Sequence, residues 1–143
     1  MNFYYGFIFE TTAKKIKQSL QRTFNEHKVD ITVDQWVILL ELHNHGTLSQ
    51  VELCENCSKD APTLTHIMRL LIKKELITRE ASKEDKRRFD ISLNKKGKAL
   101  IQKLLPIVNE FRNQGWNDLN EKDVQHLKRI ANKISKNLTV ETE

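Results

Sequence analysis

The stretch Asp60-Ala-Pro-Thr-Leu-Thr-His-Ile-Met-Arg-Leu-Leu-Ile-Lys-Lys74 acquires two very different faces when wound into a helix. Leu64, Ile67, Met68 and Leu71 recur at i, i+3, i+4 and i+7, the stripe a helix needs to rest on a core. At about 100° per residue, Pro62, His66, Arg69 and Lys73 gather on the opposite side, with Thr63 and Thr65 at its margins. That side holds no carboxylate, so it can approach a phosphate without repulsion. Asp60 is a natural N-cap, and Pro62 is tolerated in the first turn, where a missing N–H costs nothing. Taken alone, the stretch is equally compatible with an ordinary surface helix. Its neighbours decide between the two.

Upstream, Ser49-Gln-Val-Glu52 has the form of a capping box and opens a short helix through Leu53, Cys54 and Cys57. A turn at Ser58-Lys59 leads into the Asp60 helix. Two short helices joined by a tight turn, the second with a polar face, make a helix-turn-helix. Downstream the period changes. Leu76 to Glu80 is a short extended run, and Phe89, Ile91 and Leu93 alternate with Arg88, Asp90 and Ser92. Between them, Ser82-Lys-Glu-Asp-Lys-Arg-Arg88 is a polar loop with four basic residues. The spacing predicts a β-hairpin with a charged tip, a wing on the helix-turn-helix.

Further out the pattern is helical again. Thr32-Val-Asp-Gln35 is another capping box, opening a helix through Trp36-Val-Ile-Leu-Leu40 to about Asn44 that should be buried nearly all round, with Gly46 ending it. Before it, residues from about Gly6 to Glu26 read as a first helix with an apolar band of Phe7, Ile8, Thr11, Ile16, Leu20 and Phe24. The aromatics Phe3, Tyr4 and Tyr5 are too many to leave exposed on a monomer and suggest a partner surface. After the wing, Asn94 is placed to cap a long helix from Lys95 to about Gln114, which Pro106 should kink. Asn120 caps a last helix with the stripe Leu127, Ile130, Ala131, Ile134 and Leu138.

Charge is unevenly spread. From Arg69 to Lys103 twelve basic residues face five acidic ones, while the rest of the chain is slightly acidic. A basic third in an otherwise balanced chain is offered to something anionic. The composition gives no run of about 18 apolar residues for a membrane span. The short apolar start lacks the basic flank and cleavage site of a signal peptide, so a cytoplasmic protein is expected. No Gly-rich phosphate loop, nucleophile elbow or H-E-x-x-H points to an enzyme. No cofactor and no metal are expected.

The fold class read from these elements is mainly α with a small β-hairpin wing: a winged helix-turn-helix flanked by N- and C-terminal dimerisation helices. Residues 1–143 form one domain, with about 31–97 as the DNA-binding part and about 1–30 and 98–143 as the dimerisation helices. A C₂ homodimer would offer two recognition helices to successive major grooves, about one turn of double-stranded DNA apart.

The chain resembles the MarR (multiple antibiotic resistance regulator) family of winged-helix transcription factors. The resemblance lies in Ile31-Thr-Val-Asp-Gln-Trp-Val-Ile-Leu-Leu40, Leu48-Ser-Gln-Val-Glu-Leu53, Thr63-Leu-Thr-His-Ile-Met-Arg-Leu-Leu71 and Lys73-Lys-Glu-Leu-Ile77. Its most specific part is Asp85-Lys-Arg-Arg-Phe-Asp-Ile-Ser-Leu-Asn-Lys-Lys-Gly97, which looks like the family's D-x-R…L-T-x-x-G wing. The resemblance implies a homodimeric regulator, usually a repressor, on a pseudo-palindromic operator, often released by a small amphipathic or phenolic effector. It also implies that Arg87 enters the minor groove, that Asp85 orients it, and that Thr63, Thr65, His66 and Arg69 meet bases or phosphates. Phosphate contacts are expected from Lys73, Lys83, Lys86, Arg88 and the helix start at Ala61, Pro62 and Thr63. Trp36 is the candidate for ligand contact. Three positions depart from the pattern. Glu75 stands where Gly is usual, Asn94 replaces Thr, and His66 replaces a frequent Arg, and His cannot make arginine's bidentate contact to guanine.

Other readings remain open at this point. Cys54 and Cys57 form a C-x-x-C but lack the further ligands of a zinc site, and sit where a small apolar residue would serve as core. His43 and His45 suit capping and solvation better than half a metal site. The rival functions are a winged-helix protein-interaction module without DNA binding, and a thiol- or metal-sensing regulator.

Overall fold

The computed structural model describes residues 5–140. Phe3 and Tyr4, part of the aromatic cluster singled out above, lie outside the described residues. The chain divides into two compact units, Met1–Phe111 and Arg112–Glu143.

The first unit begins with α1 (Tyr5–Glu26) and α2 (Val33–His45). A two-residue strand β1 (Leu48–Ser49) precedes α3 (Gln50–Asn56) and α4 (Ala61–Lys73). Strands β2 (Ile77–Ala81) and β3 (Phe89–Leu93) follow, and α5 starts at Lys95 and runs to Gly115. The three strands form an antiparallel sheet in the order β1-β3-β2. The expected hairpin is therefore present, with a third strand added. The sequence reading missed β1 because two residues carry no period.

Local chemistry sets the helix ends. Thr32 and Ser49 each accept a hydrogen bond from the backbone three residues on, and Gln35 and Glu52 reach back to complete both capping boxes. Asp60 caps α4 through the Thr63 N–H at 2.8 Å. At the other ends, α1, α3 and α4 close in the same way. Lys28, Ser58 and Glu75 adopt φ of 55°, 51° and 59°. The next residue's N–H then returns to the helix: Val29 to the Phe24 carbonyl, Lys59 to Cys54, Leu76 to Leu71. This is the Schellman arrangement, built here without glycine. Glu75 thus keeps the family's left-handed turn and accepts its strain.

α4 buries the expected stripe, Leu64, Ile67, Met68 and Leu71. It joins a core with Trp36, Ile38, Leu39 and Leu42 of α2, Leu53 of α3, Ile91 of β3, and Ile101, Leu104 and Val108 of α5. Each such side chain stabilises the fold by roughly 1.5–3 kcal/mol. Trp36 is only 2% exposed and meets Phe24 edge-on, ring centroids 6.1 Å apart.

The α1 band is divided. Leu20 and Phe24 are buried, whereas Tyr5, Phe7 and Ile8 are each more than half exposed.

The start of α5 is pressed onto the end of α4. The Asn94 N–H donates to the Leu76 carbonyl at 3.2 Å, and its side-chain amide donates to the Glu75 carbonyl. The same side chain accepts from the Gly97 N–H at 2.9 Å. A Cβ on Gly97 would stand 2.1 Å from the Leu76 oxygen, so only glycine fits there. α5 then runs unbroken through Pro106.

In the second unit, Trp116 follows α5, and Asp118 takes a positive φ of 63°. α6 (Glu121–Leu138) starts with a capping box between Asn120 and Asp123. It is strongly amphipathic, yet none of its residues is buried.

Candidate nucleic-acid interface

The polar side of α4 is formed as its spacing predicts. Ala61, Pro62, Thr63, Thr65, His66, Arg69 and Lys73 are all exposed, opposite the buried stripe. Thr65 donates its hydroxyl hydrogen to the Ala61 carbonyl at 2.8 Å and accepts from the Gln50 side-chain amide at 3.2 Å. With its donor used within the helix, Thr65 has its methyl left to offer a base edge.

The helix start has less to give an anion than the sequence reading supposed. The Thr63 N–H is taken by the Asp60 carboxylate, Pro62 has none, and Ala61 alone keeps its N–H. Hydrogen bonds from the Thr63 side chain and backbone hold the Asp60 carboxyl below the usual range, so the cap is ionised at neutral pH. A carboxylate at that point repels a phosphate. The cationic contribution must come from Arg69, Lys73 and the wing.

The wing presents Lys83, Asp85, Lys86, Arg87 and Arg88, all exposed. Its tip is held by the backbone. The Asp85 carboxylate accepts from the Arg87 N–H at 3.0 Å, and the Asp85 carbonyl accepts from the Arg88 N–H at 3.0 Å. The Ser82 N–H donates to the Arg88 carbonyl at 2.8 Å, and the Ser82 hydroxyl accepts from the Glu84 N–H at 3.3 Å. Asp85 therefore fixes the peptide that carries Arg87, and among the described residues the guanidinium has no ion pair.

The fold brings wing and helix together. Gln50, Ala61, Arg79, Arg87 and Arg88 line one cleft, so the wing arginines stand beside the start of α4. Gln50 and Arg79 were not among the predicted site residues. Arg79 did leave a signal: it is a basic residue two positions from Ile77, on the same face of its strand.

A second feature was invisible in sequence. The Asp34 carboxylate accepts from Lys17 of α1 at 3.0 Å and from Lys59, just before α4, also at 3.0 Å. Burial alone would raise the Asp34 carboxyl, but the two lysines outweigh it and hold it below its ordinary value. One side chain thus ties α1, α2 and the α3–α4 turn.

Other candidates take quieter places. Trp36 belongs to the core. Cys54 and Cys57 are free thiols packed against that core. Burial, helped by Glu41, pushes the Cys57 thiol up, which lowers its thiolate fraction at neutral pH. His45 pairs with Glu41 at 3.3 Å. Among the described residues, no three His, Cys, Asp or Glu side chains are grouped to hold a metal, and no helix is long and apolar enough to cross a membrane.

The MarR family model matches residues 31–89, from the strap before α2 to the first residue of β3. Over these residues the chain matches the MarR family of winged-helix transcription regulators. Relatives match over more than nine-tenths of the chain. The HTH-type transcriptional regulator SarZ of Staphylococcus aureus (strain USA300) is 28% identical over 136 residues, covering 92% of this chain and 86% of SarZ. MepR of S. aureus, solved as a DNA complex, superposes with a TM-score of 0.83 at 26% identity, covering 96% of this chain and all of that one. Bordetella bronchiseptica BpsR, solved in connection with regulation of its DNA binding by 6-hydroxynicotinic acid, shares the fold at a TM-score of 0.82 and 20% identity, covering 94% of this chain and 96% of that one. The family and these relatives are transcription regulators, not enzymes.

Proposed function

We propose that the protein binds double-stranded DNA as a homodimer on a pseudo-palindromic operator, acts as a repressor, and is released by a small amphipathic effector. The observation that carries the reading is the pairing of a carboxylate-free α4 face with a wing tip whose arginine side chains have no ion-pair partner among the described residues. S. aureus MepR, 26% identical over nearly the whole chain, has been solved on DNA, which favours the same use here. α4 reads the major groove through Thr63, Thr65, His66 and Arg69, while Lys73, Lys83, Lys86 and Arg88 neutralise phosphates. Arg87 enters the minor groove, where narrow A·T-rich sequence deepens the negative potential. The exposed apolar residues of α1 and α6 supply the surface for a second copy.

For the effector, a cleft lies between the α1–α2 connection and the start of α5. Val29, Ile31, Leu76 and Leu100 give it an apolar floor, and Lys28 and Lys103 are among the cations around it. Trp36 is not part of it. That arrangement suits a small molecule with an apolar body and an anionic or phenolic end.

Fluorescence anisotropy tests the central reading. The protein is titrated against its own upstream region and an unrelated duplex at roughly 50 and 200 mM salt. The expected result is tight binding that weakens by orders of magnitude over that range, with at least about 10³ preference for the cognate duplex. Arg87→Ala should weaken cognate binding at least about tenfold while the dimer persists, because the exposed wing tip contributes nothing to the core. Absence of any salt-dependent duplex binding by the wild type would overturn the reading in favour of a protein-interaction module.

A further inference from the structure

Arg79 lies on the wrong side of its strand for an ordinary surface arginine. It shares a face of β2 with Ile77, and across the sheet it is paired with Ile91, both buried. This is the apolar face of the wing sheet, where period-2 alternation would place a Val or Leu. The stem of Arg79 therefore continues that face, and its guanidinium emerges at the rim. There it lies on the ring of Phe89, with the guanidinium carbon 3.5 Å from the centroid. Such stacking fixes a flat cation in one plane and leaves its N–H edges free to donate.

The surroundings of that cation are unusual. Arg79 lines two clefts at once: on one side the cleft shared with Gln50, Ala61, Arg87 and Arg88, on the other a narrow one shared with Thr65, Arg69 and Ile72. No carboxylate lines either cleft. Among the described residues Arg79 has no ion pair and donates no side-chain hydrogen bond. A guanidinium held rigidly by an aromatic ring, with its donors unused and three other arginines around it, is built for an anion from outside the chain.

We propose that Arg79 is a phosphate clamp for DNA, holding the backbone of the strand that passes between α4 and the wing. It rests on the DNA-binding reading above. The clamp fixes the depth at which α4 enters the major groove relative to the wing, because it stands on the element that joins them. Phe89 acts through Arg79 as a positioning residue.

The experiment compares the full-length wild type with Arg79→Ala, Arg79→Met and Phe89→Leu in the same anisotropy titrations, after thermal melting has been recorded for each. Arg79→Met keeps the apolar stem should the alanine variant disturb the sheet. Removing the charge should weaken cognate and unrelated duplexes alike, each by about tenfold. It should also lower the slope of log affinity against log salt by about one, as expected for one phosphate contact. Phe89→Leu keeps the charge, so the slope should hold while affinity falls by about threefold; unchanged affinity would show that the stacking does no positioning. Wild-type affinity and slope in a folded Arg79→Met variant would overturn the clamp and leave the DNA reading standing. A loss confined to the cognate duplex would also overturn it, by making Arg79 a base reader. If the wild type binds no duplex at all, both fall together.

Discussion

Helices α4 and α6 carry the same pattern and end in opposite states. Each has apolar residues at i, i+3, i+4 and i+7 or nearly so, and each begins with an acidic or amide N-cap. In α4 the stripe is finished within the chain: Leu64 and Leu71 are fully buried. In α6, Leu127, Ile130, Ile134 and Leu138 are between 42% and 75% exposed. Amphipathic spacing says that a face will be covered and does not say by what. A stripe completed within the chain stabilises one protomer, while an open one is the surface that the proposed homodimer would cover.

The comparison can be broken most severely at α6. Ile130→Asp combined with Ile134→Asp should convert the proposed dimer to monomer in sedimentation and reduce cognate DNA affinity by about 10²–10⁴, the range lost when two linked contacts become one. Melting of the winged-helix part should barely move. A double variant that remained dimeric would show that the α6 stripe is not the shared surface. The converse change is Leu64→Ala in α4. It should cost about 2–5 kcal/mol in urea unfolding, a large share of a domain's total, because the cavity opens at the centre of the core.

Smaller effects sharpen the picture of how α4 is held. Asp34→Asn removes the acceptor shared by Lys17 and Lys59. The pairs are partly exposed, so about 0.5–1 kcal/mol of stability is expected to go at pH 7 and low salt. Because the folded Asp34 carboxyl is held below its ordinary value, its contribution is complete above the unfolded value near 4 and is lost as pH falls through the folded one. The gap between wild type and variant should therefore close on acidification below about pH 4. A gap that stayed constant with pH would remove the ion pairs as its cause. The smallest change runs the other way. Glu75→Gly relieves the left-handed backbone at the end of α4 and should stabilise by about 0.5 kcal/mol, net of the freedom glycine adds to the unfolded chain.

What could be read from the sequence was what is local. The two faces of α4, the capping boxes at Thr32 and Ser49, the N-cap at Asn120, and the alternation of β3 are each written within a few residues, and each appears in the structure. The positions of the recognition and wing residues relative to one another were not local, yet they followed once helix-turn-helix and wing had been identified. What escaped depends on distance along the chain or on competition for one atom. Asp34 meets Lys17 and Lys59 across 17 and 25 residues, and no pattern links them. That the α4 start offers almost no free N–H depends on Asp60, Pro62 and Thr63 acting together, although each was noticed singly. Arg79 was counted as charge when its spacing from Ile77 already placed it on the same strand face.

The joint at Asn94 has a consequence for how this molecule can change. Asn94 grips the carbonyls of Glu75 and Leu76, and Gly97 lets the two backbones meet. The segment from Ile77 to Leu93 is therefore a loop closed at its base and anchored to the core by Ile77 and Ile91 and to β1 through β3. Only its tip, beyond these anchors, is replaceable. Residues can be added to or removed from its tip, and its charges redrawn, without shifting the register of α4 or α5, since closing a slightly longer loop adds little entropy cost. New DNA preferences can thus arise in the wing independently of the reading helix, provided that Asn94 and Gly97 are left alone.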